Sequence, residues 1–161
     1  MMNLRNLILL YFLGLLSCEK DDICLEGTPG TPQMIVVFKD YLDPSTPKGV
    51  SELTIKGFDQ EANYQLFSGD SIAIPLRNNF DITQYKLILG AETETPIADS
   101  LQLNHKQFDI FINRACGYKS NYIFEDPAYY ILTQGNGWIK NIEIIKDTVT
   151  DEKSSHLAIY H

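Results

Sequence analysis

From Met34 to the last residue, apolar side chains recur at every second position in short runs, and clusters of Gly, Pro, Asn and Asp part the runs. No segment sustains a 3.6-residue period, so the chain reads as strands rather than helices. Met34 to Phe38 is a continuous apolar run with β-branched residues, the pattern of a strand covered on both faces. Leu53 and Ile55 alternate with Thr54 and Lys56, and Tyr64 to Phe67 reads as another short strand. Ile72, Ile74 and Leu76 alternate with Ser71, Ala73 and Pro75, where the proline marks a strand end or a sheet edge. Tyr85, Leu87 and Leu89 share a face, the polar stretch Ala91 to Asp99 is a loop, and Leu101 and Leu103 begin a further strand. Tyr129–Thr133 and Trp138–Lys146 flank Gln134-Gly135-Asn136-Gly137, and Asn-Gly between two such runs predicts a β-hairpin. In the second run Trp138, Ile142 and Ile144 lie on one face, Ile139 and Ile145 on the other. Leu157 to Tyr160 closes the chain as a strand antiparallel to it. Eight or nine short strands predict an all-β fold, an antiparallel β-sandwich with an immunoglobulin-like arrangement as its nearest template.

Phe108, Ile110, Ile112, Arg114 and Cys116 share parity, so an unbroken strand over Phe108–Cys116 turns all five inward. A buried, unpaired guanidinium is costly. Either a bulge intervenes, or Arg114 snorkels or meets a carboxylate.

The start of the chain lies outside this pattern. Met1 to Asn6 carries Arg5 and no acid, Leu7 to Leu16 is apolar apart from Tyr11 and Gly14, and small Ser17 precedes Cys18. This is the layout of a secretory signal peptide, too short for a membrane span, which needs ~20 apolar residues. Leu15-Leu16-Ser17-Cys18 resembles the bacterial lipobox, which implies cleavage before Cys18 and a lipid anchor on its thiol. The division expected is residues 1–17 as signal, 18–32 as lipidated cysteine, acidic tether and turn-rich linker, and 33–161 as one β-sandwich domain. Glu19, Lys20, Asp21 and Asp22 read as a solvated tether. Cys-Glu-Lys-Asp-Asp also resembles the acidic export signal of Bacteroidota lipoproteins, which points to the outer membrane and favours its outer face over a periplasm-facing position.

Without the signal segment, twelve basic residues stand against twenty-one acidic ones, a net charge of −9. That disfavours nucleic acid as a partner, and no basic stripe suits anionic headgroups. With Cys18 lipidated, Cys24 and Cys116 remain as an even pair in an oxidising compartment, and a disulfide between them is expected. The alternatives are two buried free thiols or a reactive Cys116.

No motif announces catalysis. His105, His156 and His161 stand at no metal-ligand spacing and read as solvated polar positions; no metal and no cofactor is expected. There is no Gly-x-Ser-x-Gly elbow, phosphate-binding glycine loop or Asp-x-Asp-x-Asp-Gly calcium loop. Acidic pairs such as Glu125-Asp126 are common but nothing marks a glycosidase dyad. Aromatics are plentiful. Trp138 and most tyrosines suit the core, but adjacent Tyr129 and Tyr130 must face opposite ways, which leaves one available as a platform for a sugar or a protein. Asp70-Ser71-Ile72, Asp99-Ser100-Leu101 and Asp147-Thr148-Val149 each fit Asp-(Ser/Thr)-apolar. That pattern resembles the O-glycosylation acceptor of exported Bacteroidota proteins, with Ser71, Ser100 and Thr148 as acceptors, and it is also how a loop enters a strand.

Three stretches together resemble an uncharacterised family of small Bacteroidota lipoproteins defined only by a domain of unknown function: Cys18-Glu19-Lys20-Asp21-Asp22-Ile23-Cys24, Asn113-Arg114-Ala115-Cys116-Gly117-Tyr118-Lys119, and Gly137-Trp138-Ile139-Lys140-Asn141-Ile142-Glu143. The resemblance implies an envelope location and a compact domain with two paired cysteines. It implies no activity or substrate. The reading is a lipid-anchored, non-catalytic binding or assembly module with a protein or glycan partner. A structural accessory of a larger outer-membrane complex and a small hydrolase are the competing readings.

Overall fold

The computed structural model describes residues 23–57, 65–133 and 136–161. Within them the chain forms ten strands and no helix: β1 (Met34–Lys39), β2 (Val50–Gly57), β3 (Gln65–Gly69), β4 (Ser71–Ile74), β5 (Ile82–Leu89), β6 (Ile97–Asn113), β7 (Gly117–Ile131), β8 (Asn141–Ile144), β9 (Thr148–Val149) and β10 (Leu157–Tyr160). They make a four-stranded sheet in the order β4-β1-β10-β8 and a six-stranded sheet in the order β3-β2-β5-β6-β7-β9. This is the expected all-β sandwich, with one departure from antiparallel pairing: β1 and β10 run parallel, Val36 opposite Leu157 and Phe38 opposite Ile159. The pairing brings the beginning and end of the domain together at the centre of the smaller sheet. β4 forms an edge, as Pro75 implied.

The period-two patterns become the two inner faces. Met34, Val36 and Phe38 meet Leu157, Ile159, Ile72, Ile74 and Ile142 from the small sheet, and Leu53, Ile55, Leu87, Leu101, Leu103 and Tyr122 from the large one, in one cluster. Burying each such side chain contributes roughly 1.5–3 kcal/mol. β1 is not covered on both faces as its unbroken apolar run suggested; Ile35 and Val37 remain half-buried. Ala91–Asp99 is a loop only in its first part, because β6 begins at Ile97.

The Asn-Gly hairpin does not form. Gln134 and Gly135 lie outside the described residues, but β7 and β8 belong to different sheets, so the segment around Asn136-Gly137 is a crossover. Two interactions favour this. The buried Asp99 carboxylate accepts from the Ile139 N–H at 2.8 Å, and the Trp138 indole donates to the Leu87 carbonyl at 3.2 Å. Trp138 and Ile139 are therefore both buried, where alternation placed them on opposite faces. β8 does pair antiparallel with β10, Ile142 opposite Ile159.

Candidate functional site

Two surfaces of the six-stranded sheet present exposed aromatic side chains beside polar groups held by hydrogen bonds. The first is its outer face. The register sets Gln84 opposite Gln102, and Gln102 opposite Tyr130, so one row crosses β5, β6 and β7. Gln84 donates to Gln102 at 2.7 Å, Gln102 to Asn104 at 2.9 Å, and Asn104 to the Pro127 carbonyl at 2.7 Å. Each amide's orientation is thus set by the next. Tyr129 turns inward and donates its hydroxyl to the Ile142 carbonyl at 2.8 Å, and strand alternation then holds Tyr130 outward, 46% exposed. An exposed ring beside oriented amides is a flat, partly polar platform of the kind that stacks on a sugar ring or a peptide.

The second surface is an arm. β5 accompanies β6 only as far as Asn104, opposite Ile82, and β9 accompanies β7 only at Tyr122 and Ile123, so from Phe108 and Asn121 β6 and β7 continue as a two-stranded ribbon to the Asn113–Gly117 turn. Three extra residues in β7 intervene at the base of this ribbon, since Leu103 pairs with Tyr129 but His105 with Phe124; the Asp126–Pro127 peptide there is cis. At the tip, Asn113 Oδ1 accepts from the Cys116 N–H at 2.6 Å and Gly117 adopts φ +70°, a conformation open to glycine. On the ribbon, Asp109 accepts from Gln107 and from the Ser120 hydroxyl, and these bonds, Gln107's first, hold its carboxyl below the usual carboxylate range. Phe108 and Ile110 are exposed on one face, and Phe111 stacks edge-to-face on Tyr118 on the other, centroids 5.2 Å apart.

This arm overturns the inward reading of Phe108, Ile110, Ile112, Arg114 and Cys116. Counted from Leu101 and Leu103, His105, Gln107 and Asp109 continue the inner face and Phe108 and Ile110 the outer one, and the register then shifts between Phe111 and Asn113, the bulge that the sequence offered as one alternative. Arg114 lies in the turn and is exposed. The missed signal is the absence of any Gly or Pro between Leu101 and Asn113. The run is far longer than the usual strand of ~5–6 residues.

Cys24 and Cys116 form a disulfide, 92 residues apart in sequence, which fastens the beginning of the described chain to the arm tip. The linker then follows the free edge of β7, where Thr31 Oγ1 accepts from the Ser120 N–H at 3.0 Å. Cys18 lies outside the described residues. Of the three Asp-(Ser/Thr)-apolar positions, Ser71 opens edge strand β4 and is exposed, and Thr148 opens β9 and is half-buried. Ser100 sits within β6, paired with Lys86, beside an Asp99 whose carboxylate is engaged by Ile139.

The histidines correct the sequence reading. His105 and His156 are fully buried, not solvated. His156 clamps β1: its Nδ1 accepts from the Ile35 N–H at 3.0 Å, while its own N–H donates to the Ile35 carbonyl at 2.9 Å. His105 Nε2 lies 2.7 Å from the Thr83 hydroxyl, whose oxygen accepts from the Arg77 N–H. Burial lowers the pKa of both rings, so both are neutral structural groups. They share no site, and among the described residues no three His, Cys, Asp or Glu side chains converge on a point that holds a metal. A groove of about 420 Å³ lies between the Pro29–Pro32 linker and the Thr150–Lys153 turn. Its acids fasten the loop: Glu152 accepts from the Gln33 N–H, and Asp151 accepts from the Lys153 N–H and from Lys146. The Lys153 N–H first, then Lys146, lower the Asp151 pKa, the wrong direction for a general acid.

The fold and these surfaces define a class: a small all-β sandwich with a disulfide-stapled arm and an amide-and-tyrosine face. The chain belongs to a family of unknown function (DUF6452), whose model matches residues 52–161. The match begins within β2, whereas β1, which pairs with both β4 and β10, precedes it. No curated protein and no solved structure matches the chain.

Proposed function

We propose that this protein is a lipid-anchored lipoprotein of the outer membrane, held by Cys18, and that its sandwich is a non-catalytic module binding a protein or glycan partner of the envelope. The observation that carries the binding reading is the Gln84–Gln102–Tyr130 row, an oriented polar face with an exposed ring. The anchor rests on the lipobox-like Leu15-Leu16-Ser17-Cys18, and the outward destination on the acidic Glu19–Asp22 tether. Mature protein extracted from its native membrane in gentle detergent is expected to retain a partner, or to bind immobilised envelope polysaccharide, and Tyr130→Ala is expected to weaken either by at least tenfold. Identical retention by wild type and Tyr130→Ala overturns this face as the binding surface. O-glycan occupancy follows accessibility in this reading, Ser71 first, then Thr148, with Ser100 lowest; a native mass equal to that of the bare lipidated chain overturns it.

A further inference from the structure

The arm tip gathers apolar side chains that the sandwich does not need. Phe108, Ile110, Phe111 and Tyr118 are 40–69% exposed, and Ile23 and Leu25, on either side of the stapled Cys24, are each 73% exposed. A two-stranded ribbon is marginal in water, and apolar residues on both of its faces add nothing to its stability there. The staple also fixes where this end of the molecule lies. Cys18 precedes Cys24 by six residues, a span of at most about 22 Å when fully extended.

We propose that the arm tip is a membrane-contacting element, in which Phe111, Tyr118, Ile110, Ile23 and Leu25 enter the headgroup region of the bilayer that holds the anchor. The proposal rests on the lipid-anchor reading of Cys18, because the anchor places lipid beside the disulfide. Rings such as those of Phe111 and Tyr118 have an apolar body, and tyrosine adds a polar tip, the composition favoured at a membrane–water boundary. The occupant is lipid rather than protein because the short tether leaves this end little distance from the bilayer. The contact is apolar rather than electrostatic, since a mature net charge of −9 repels anionic headgroups. The disulfide turns a single acyl attachment into a two-point one, and the Tyr130 face, near the other end of β7, is held away from the lipid. Along β6 the partners of Tyr118 and Tyr130, Phe111 and Gln102, are nine residues apart, up to about 30 Å.

The test places an indole at the tip. Full-length mature protein carrying Tyr118→Trp is reconstituted in phosphatidylcholine–phosphatidylethanolamine vesicles with or without a doxyl label on the upper acyl chain, and Phe111→Trp gives a second, independent reading. Native Trp138, buried in the core, supplies the unquenched reference, and Tyr130→Trp is the control at the far end. At least twofold quenching of the introduced tip indole, with the Tyr130→Trp indole unquenched, supports the contact. Protein that floats with the vesicles but whose tip indoles are unquenched overturns the arm contact and leaves the anchor standing. Blue-shifted tip emission in native membranes without quenching in vesicles means that the arm docks on protein, and overturns it also. Native protein that fails to float overturns the anchor and the contact together.

Discussion

Replacing both Cys24 and Cys116 with serine separates what the disulfide does from what the core does. The bridge joins residues 92 apart, and in the chain-entropy relation a loop of that size restricts the unfolded chain by about 4.6 kcal/mol. The folded state recovers part of that loss. With the bridge gone, residues 23–30 are released as far as Thr31, whose hydroxyl still accepts from Ser120, and Gln33, whose N–H still reaches Glu152. A net loss of about 2–4 kcal/mol follows. With a urea dependence of about 2 kcal/mol per molar, the unfolding midpoint falls by about 1–2 M. Cys24 and Cys116 lie outside the core cluster, so the double variant keeps the tertiary signals of Trp138 and Tyr122 in the absence of urea. A midpoint within 0.3 M of wild type refutes the loop-entropy reasoning. A variant that is already unfolded without urea refutes the separation of staple and core.

Three further outcomes follow from the buried polar groups. His105 and His156 have folded pKa values below the ordinary 6.5, chiefly through burial, so above about pH 6.5 both states are neutral and the rings add no pH dependence. As pH falls below that value the unfolded chain binds protons that the folded chain refuses, and unfolding free energy declines by up to about 1.4 kcal/mol per pH unit per histidine until the folded pKa is reached; chemical denaturation from pH 7.5 to 5 measures it, and a flat profile contradicts it. At Gly137 an added Cβ meets Asp99 Oδ1 at 2.0 Å, so Gly137→Ala displaces the carboxylate that holds the Ile139 N–H and costs about 3–5 kcal/mol, read as a midpoint shift in urea. Tyr122→Phe removes the buried hydroxyl shared by Asn78 and the Leu76 carbonyl and costs about 1–2 kcal/mol in the same assay; no loss means that water satisfies those acceptors equally well.

What was legible in the sequence is what period two encodes. Ile72, Ile74 and Leu76, or Tyr85 and Leu87, announce an inner face because a half-buried strand must alternate, and all five are buried. Partners across space were less legible. Asn136-Gly137 carries a hairpin signal, but Asp99, 40 residues from Ile139, captures the backbone beyond it, and a long-range carboxylate leaves no local trace. The parallel pairing of β1 with β10 has the same character. The arm failed for another reason: Phe108 and Ile110 look like core, and only continuous counting from Leu101 through Leu103 and His105 puts them outside. Of the candidate binding face, the sequence supplied that Tyr129 and Tyr130 diverge. It held no sign of the amides of Gln84 and Gln102, which become a row only when three strands align.

The proposed lipid anchor at Cys18 decides which end of the molecule is proposed to meet lipid and which face is proposed to bind. Mass spectrometry of the mature N-terminal peptide, with the Cys24–Cys116 bridge reduced, tests it most directly. The expected mature chain begins at Cys18 and carries two or three acyl chains. An unmodified Cys18, or a chain that still carries Met1 to Ser17, contradicts it.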